Sequence, residues 1–187
     1  PADEAALVAA LERLGPPVVI TPNPTTRGVG VPPAAALDSF LGIADYLDLV
    51  HDYRATGDRS FLVQERLVDA RDYRAMVVDG ECVGAVERRL PDGDRQRGRW
   101  KHNVHRGAVA EGVTLPDDLR RLAERAADAL DIPYLGVDLR VTDERAVVNE
   151  TNARPTIDAA TKYEGGFWDR VAELIRGAAT GSVRDYG

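Results

Sequence analysis

Cysteine is nearly absent from this chain. Cys82 is the only one, so no internal disulfide can form; a reducing cytoplasm is the expected compartment and a buried thiol within a strand the expected role. Lysine is almost as scarce, since Lys101 and Lys162 are the only two among many arginines, a bias that also fits a GC-rich genome. No apolar run approaches the roughly 18 residues that a membrane span needs, and the first residues show no signal-peptide pattern. Positive charge is in deficit. A formal net charge of −7 argues against a general affinity for nucleic acid or anionic membranes. Internal repeats and low-complexity segments are missing too. What remains is a chain of 187 residues, 44% of them hydrophobic, long enough to bury a sizeable core as one domain or two closely packed lobes.

Hydrophobic periodicity places the elements. Leu7, Val8, Leu11 and Leu14 recur at helical spacing over residues 3–14, and Gly15-Pro16 stops that helix. Val18-Val19-Ile20 reads as a short strand that meets a loop rich in Pro, Gly and Thr at 21–31. A second helix is expected over residues 34–53, its stripe made by Leu37, Phe40, Leu41, Ala44, Leu47 and Val50, with Asp38, Asp45, Asp48 and Asp52 mostly on a solvated side. Residues 61–65 read as a strand. Residues 73–78 and 82–87 flank Asp79-Gly80, a strong two-residue hairpin signal. Residues 90–98 read as a loop and 100–104 as another strand. Pro116, Asp117 and Asp118 open a helix carrying Leu119, Leu122, Ala123, Ala126 and Leu130. Phe167, Val171, Leu174 and Ile175 mark a closing helix.

Chemistry concentrates in residues 136–152. If Asp143-Glu144-Arg145 connects a hairpin in which Thr142 pairs with Ala146, Asp138 stands opposite Glu150, and the period of two puts Asn152 on the same face. Two carboxylates and an amide then converge. Hard cations prefer such all-oxygen sets, and Mg²⁺ uses one or two carboxylates with substrate phosphates and water. A solvated hairpin face is the other reading of these residues.

Along the chain come a Gly-rich loop after a strand, then Leu62-Val63-Gln64-Glu65-Arg66-Leu67, Asp72-Tyr73-Arg74, Asn103-Val104-His105-Arg106-Gly107, Gly136-Val137-Asp138, and Asn149-Glu150-Thr151-Asn152-Ala153-Arg154-Pro155. This order resembles the ATP-grasp superfamily, and within it the RimK-like ligases that add glutamate to a ribosomal protein or to small carboxylate acceptors. The resemblance covers residues 15–176, and its most specific part is Asn-x-His-Arg-Gly followed by Asp138, Glu150 and Asn152. It implies an α+β ATP-grasp fold of two lobes with largely antiparallel sheets and ATP in the cleft between them. Residues 1–60 would form the smaller lobe with the Gly-rich phosphate loop, and residues 61–187 the larger. It also implies a carboxylate activated as an acyl phosphate and then attacked by an amine. ATP and Mg²⁺ are the implied cofactors, with Mn²⁺ as a substitute. The implied partners are a carboxylate substrate and an amine-bearing amino acid or protein acceptor. Neither direct nucleic-acid binding nor membrane contact is expected, and homo-oligomerisation is left open.

Carried over residue by residue, the segment containing Gln64, Glu65 and Leu67 matches the hinge that binds adenine through its backbone, with Glu65 on the ribose. Asp72 matches a position beside the nucleotide and Arg74 one near the phosphates, with cross-strand ion pairing as the alternative. Asp138, Glu150 and Asn152 match the magnesium ligands. Lys101 stands where the family has an arginine facing the nucleotide, keeping the charge without the fork. Asn103 joins the nucleotide set. Arg106 and Arg154 are the catalytic candidates, because charge spreading over a transferred phosphoryl group must be neutralised and a guanidinium fork suits carboxylate or phosphate. Structural salt bridges are their alternative. His102 and His105 read as structural support, and Trp100 as packing.

Three departures qualify the pattern. Thr21 follows the first strand where the family has a lysine for the ATP phosphates; Arg27 could reach them instead, or be a solvated loop charge, and the backbone N–H groups around Gly28 remain an anion cradle. Ligases of this kind carry a further N-terminal domain of about a hundred residues, whereas Pro1 stands almost at the ATP-grasp module, so the sequence reads as a fragment or an unusually short protein. Arg154-Pro155-Thr156-Ile157-Asp158 replaces the usual Ser-Pro-Gly, which leaves the acceptor open. Three readings follow: an ATP-dependent carboxylate–amine ligase module, a catalytically impaired nucleotide-binding regulatory or interaction module, and an ATP-grasp ligase for an unrelated amino acid or peptide substrate.

Overall fold

The structure is a computed structural model that describes residues 3–22, 33–53, 60–91, 93, 107–157, 159–163 and 165–180. Arg27, Gly28, Lys101, Asn103 and Arg106 lie outside the described residues, as do Trp100, His102, His105 and the strand expected at 100–104. No helix among the described residues is long and apolar enough to cross a membrane.

The chain forms two compact units, Pro1–Val68 and Asp69–Gly187. In the first, α1 (Glu4–Leu14) starts at Asp3, whose side chain accepts a hydrogen bond from the Ala5 N–H at 3.0 Å, so a helix-terminal donor is satisfied by a short acid. Strands β1 (Val18–Pro22), β2 (Pro33–Ala34) and β3 (Phe61–Glu65) form an antiparallel sheet in the order β2-β1-β3. Helix α2 (Leu37–Tyr53) supplies Phe40 and Leu47 to a core with Leu11, Val18, Ile20 and Ala34. Its start differs from the expected residue 34, because Ala34 is fully buried in β2 opposite Val18, and strand pairing there takes the backbone that a helix would use. The unit boundary also falls after Val68 rather than after Ser60. The reason is β3: it pairs along its length with β1, and the Arg66 N–H donates to the Pro17 carbonyl at 2.9 Å.

The second unit is built on a five-stranded antiparallel sheet, order β6-β5-β4-β7-β8. These are β4 (Arg71–Val78), β5 (Glu81–Arg89), β6 (Val109–Val113), β7 (Tyr134–Val141) and β8 (Ala146–Asn152). β6 had no counterpart in the sequence reading. Asp79 and Gly80 both take positive φ, 50° and 81°, the geometry of the tight hairpin turn that their dipeptide signals. Period two divides β4 between two faces: Tyr73, Ala75 and Val77 pack with Leu119, Ala123 and Ala127 of α3 (Asp117–Leu130), while Met76 and Val78 pack with Tyr163 and Phe167 on the other side. Phe167 opens α4 (Phe167–Thr180), which adds Val171 and Leu174. Ile175 departs from its expected place in that stripe and is 64% exposed, since it lies about 100° around the helix from Leu174. Cys82 is buried in β5.

Two tyrosines give this unit an alkaline limit. Burial, followed by the Glu87 charge, pushes the Tyr73 hydroxyl above its ordinary 10.0, and burial raises Tyr134 likewise, with Tyr163 adding to it. The folded state thus holds these protons more tightly than the unfolded chain does. Their contribution is complete below about pH 10, the unfolded value, and is lost as pH rises through the higher folded values. Urea unfolding from pH 8 to 11 should show stability falling above pH 10, with a shallower fall in Tyr73→Phe/Tyr134→Phe. An unchanged slope would place the alkaline loss elsewhere.

Candidate functional site

The face of the second sheet that carries Met76 and Val78 also carries charge. Across it, Arg88, Asp72 and Arg140 stand in one row, and Val86, Arg74, Asp138 and Glu150 in the next. Gly136 stands between Met76 and Asn152 in a third. Among the described residues, Asp72 and Asp138 are the buried charged ones, 2% and 4% exposed. Carboxylates are rarely buried at that level unless paired, and both are paired. Arg74 donates Nε to Asp138 Oδ1 at 2.7 Å and Nη2 to Oδ2 at 2.8 Å, a bidentate fork. Arg88 donates Nε to Asp72 Oδ1 at 2.6 Å and brings Nη2 to 2.5 Å from that oxygen and 3.0 Å from Asp138 Oδ2. Arg140 Nη2 lies 3.0 Å from Asp72 Oδ2. The hydrogen bond to Asp138 raises the Arg74 pKa; burial opposes this, and the charges of Asp138, Glu150 and Asp72 reinforce it.

Both hairpins reach this arrangement through a bulge. In β4–β5 the pairing runs Val78↔Glu81 and Val77↔Cys82, then shifts so that Ala75 faces Ala85 and Asp72 faces Arg88. Val83 and Gly84 together oppose Met76 at the shift, and Gly84 has φ 131°, a conformation that side chains strain to adopt. Without the shift, Glu87 rather than Arg88 would oppose Asp72. In β7–β8 the turn is one residue tighter than expected: Val141, not Thr142, pairs with Ala146, while Thr142 N–H donates to the Arg145 carbonyl at 2.9 Å. Asn149 is the extra residue of the second bulge, and it restores Asp138 to its place opposite Glu150. The expected facing pair is therefore present, by a different register.

The expected residues divide accordingly. Asp138, Glu150 and Asn152 share one face, Glu150 exposed and Asn152 half-buried. Asp72 and Arg74 are in ion pairs, with neighbours on other strands and not with each other. Arg154 is exposed just beyond β8. Gln64, Glu65 and Leu67 belong to the first unit, where β3 pairs only with β1 among the described residues; alternate backbone N–H and C=O groups of such an edge strand point away from its partner. Thr21 lies in β1 opposite Leu62. Arg88 and Arg140 were missed. A glycine inside a strand signals a bulge, and applying that at Gly84 would have aligned Arg88 with Asp72.

The face carries carboxylate and amide oxygens, the donor type that a hard divalent cation takes. Asn152 Nδ2 is buried without a hydrogen-bond partner, an amide that a group from outside could complete on turning. Among the described residues no three His, Cys, Asp or Glu side chains are grouped to hold a metal by themselves, so a site here depends on the Asn152 amide as third ligand. The chain beyond Asn152 packs closely on its cross-strand neighbour Gly136: a Cβ there would lie 2.7 Å from Pro155 Cβ. Gly136→Ala should therefore push out the turn after β8 and destabilise the unit by about 1–3 kcal/mol, as overpacking does. Urea unfolding with amide chemical-shift mapping checks this, and shifts that leave residues 150–156 untouched would contradict it.

The RimK-like ATP-grasp domain matches residues 2–175 of this chain. A probable alpha-L-glutamate ligase of Mannheimia succiniciproducens is 30% identical over 159 residues, covering 84% of this chain and 49% of that protein. The ribosomal protein bS6--L-glutamate ligase of Escherichia coli O139:H28 is 29% identical over 181 residues, covering 92% and 53%. The chain thus spans about half the length of the curated relatives it matches. Among solved structures, the ATP-grasp ligase PsnB in complex with a phosphomimetic variant of its minimal precursor, Mg and ADP superposes with a TM-score of 0.60 at 16% identity, covering 92% of this chain and 51% of that one. The fold shared with it is the α+β ATP-grasp fold.

Proposed function

The chain belongs to the RimK-like ATP-grasp family, and from that membership we propose that it serves as an ATP- and Mg²⁺-dependent carboxylate–amine ligase module working through an acyl phosphate. The observation that carries the reading is Asp138 directly opposite Glu150, with Asn152 on the same face and its buried amide nitrogen unpartnered. Those three residues would hold the cation, which when bound neutralises charge on the ATP phosphates. In the reaction a substrate carboxylate oxygen takes the γ-phosphoryl group of ATP, releasing ADP. An amine nitrogen then forms the bond to the acyl carbon as inorganic phosphate leaves and the nitrogen loses a proton.

The chain's own residues hold the reactants and neutralise charge. Arg74 holds the buried Asp138 carboxylate in place by its bidentate fork. Arg106 and Arg154 are assigned to the substrate carboxylate and the acyl phosphate, and Lys101, Asn103, Arg27 and the Gly28 backbone to the nucleotide. Adenine would be taken by backbone groups of Gln64 to Leu67 and ribose by Glu65. The names of the curated relatives make L-glutamate the first amine to test, on a protein or small-molecule acceptor. The cytoplasm is the expected compartment.

Thr21, in the place of a phosphate-binding lysine, favours a second reading, a module that binds nucleotide with little turnover. The test is ADP release with Mg·ATP, L-glutamate and a panel of peptide and small carboxylate acceptors, with mass spectrometry for the amide. Ligation is expected to need Mg²⁺ and all three reactants. Mg·ATP binding without ADP release under any combination would replace the ligase by the second reading, and absence of nucleotide binding would remove both.

A further inference from the structure

Helix α4 has two apolar faces, and only one of them lies in the core. Phe167, Val171 and Leu174 pack there with Tyr163. Trp168, Ala172, Ile175 and Ala179 recur at steps of four, three and four residues, which sets them on a second stripe about 100° round the same helix. Trp168 and Ile175 are 51% and 64% exposed, Ala179 is exposed and Ala172 half-buried. Single apolar residues on a surface are ordinary. A stripe with this spacing is instead the seam of a helix pair, alternating a and d positions. Trp168 is also held: its ring meets the buried Phe167 ring edge to face, centroids 5.1 Å apart and planes at 76°. An anchor of the type that dominates interfaces is thus ordered before anything binds.

Charge along the helix says what covers the stripe. The charged residues of α4 are Asp169, Arg170, Glu173 and Arg176, and Arg170 is paired with Glu81. Asp169 and Arg176, seven residues apart, border the stripe along one side, the acid toward its start and the base toward its end. We propose that α4 is a docking surface for a second copy of this chain, the two helices lying antiparallel about a two-fold axis. Such an axis lays each border against itself in reverse, so Asp169 of each copy meets the partner's Arg176 and the pair forms twice. The apolar layers fit in the same register. Trp168 stands against the partner's Ala179 and Ile175 against the partner's Ala172, large on small in every layer, as close packing requires. Parallel helices would set tryptophan on tryptophan and alanine on alanine, with gaps between the small pairs.

The experiment is sedimentation equilibrium of the full chain over a concentration series, a readout independent of ligation. A seam this short gives a dimer with Kd on the order of 10 µM; a chain that stays monomeric well above that leaves the stripe to another partner and overturns the proposal. Ile175→Lys puts a charge into the seam and should weaken dimerisation by about tenfold or more. An unchanged Kd there would place the interface on another surface and reject α4. Asp169→Arg and Arg176→Asp should each weaken self-association by on the order of tenfold, because like charges then face each other across the axis. Mixed in equal amounts, these two variants should regain parental affinity, since each supplies the charge that the other's border lacks. A mixture that associates no better than either variant alone would rule out the antiparallel pair. Asp169 and Arg176 are exposed, so both variants should fold, and should Ile175→Lys fail to fold the mixture decides by itself.

Discussion

Glu150→Ala combined with Asn152→Ala should lower affinity for Mg·ADP by about a hundredfold or more, on the order of 3 kcal/mol, while thermal unfolding stays close to the parent's. The two halves of that expectation have separate causes. Glu150 is exposed and acts on Arg74 through its charge alone, and the Asn152 amide nitrogen has no partner among the described residues to lose. Truncations outside any network shift stability by only about 0.5 kcal/mol. Nucleotide binding differs because Mg²⁺ is held through few protein ligands and carries the contact to the phosphates. Calorimetric titration with and without Mg²⁺, beside a melting curve, measures both halves. A double variant that binds Mg·ADP like the parent would remove the cation from this hairpin.

Asp138→Ala has the reverse emphasis. It should destabilise the second unit by about 3–5 kcal/mol, because removing one member of a buried ion pair leaves the other charge uncompensated. Here the loss is compounded: Arg74 loses both bonds of its fork, and Arg88 loses its contact at 3.0 Å. Arg88 keeps Asp72, so Arg74 bears most of the penalty, and Asp138→Ala/Arg74→Met should be more stable than Asp138→Ala alone. Urea unfolding of the three proteins checks this. A loss below about 1 kcal/mol, the value of an exposed pair, would mean that the buried fork contributes nothing beyond surface electrostatics. Contrasting Asp138 with Glu150 separates the scaffold of the face from its ligand: the two residues face each other, yet one is expected to govern folding and the other binding.

Much of this was legible in the chain because it depends on local rules. The apolar spacing of Leu7, Leu11 and Leu14 fixed a helix, Asp79-Gly80 a tight hairpin, and Pro116 with two acids a helix start, since each signal acts within a turn or two of itself. The resemblance to RimK-like ligases rested on ordered motifs of the same kind, and the domain match over residues 2–175 agrees with it. The facing carboxylates were expected too, although they meet by a register other than the one the hairpin pattern suggested.

Which charge meets which was not readable. Register across a sheet is set by the sum of turn and bulge, and a shift of one residue moves a side chain to the other face. The bulge at Val83-Gly84 turns Arg88 rather than Glu87 toward Asp72, and the bulge at Asn149 compensates a turn one residue tighter than the pattern suggested. Arg140 is an arginine on a strand like several others until β4 is laid beside it. The sequence by itself determined most of the elements, the family and the hairpin that carries Asp138, Glu150 and Asn152, all of which follow from residues close together in the chain. Tertiary structure alone decided that Asp72 and Asp138 are buried, that three arginines converge on them, and that Glu150 stays exposed, because desolvation and ion pairing belong to neighbours brought together from three strands.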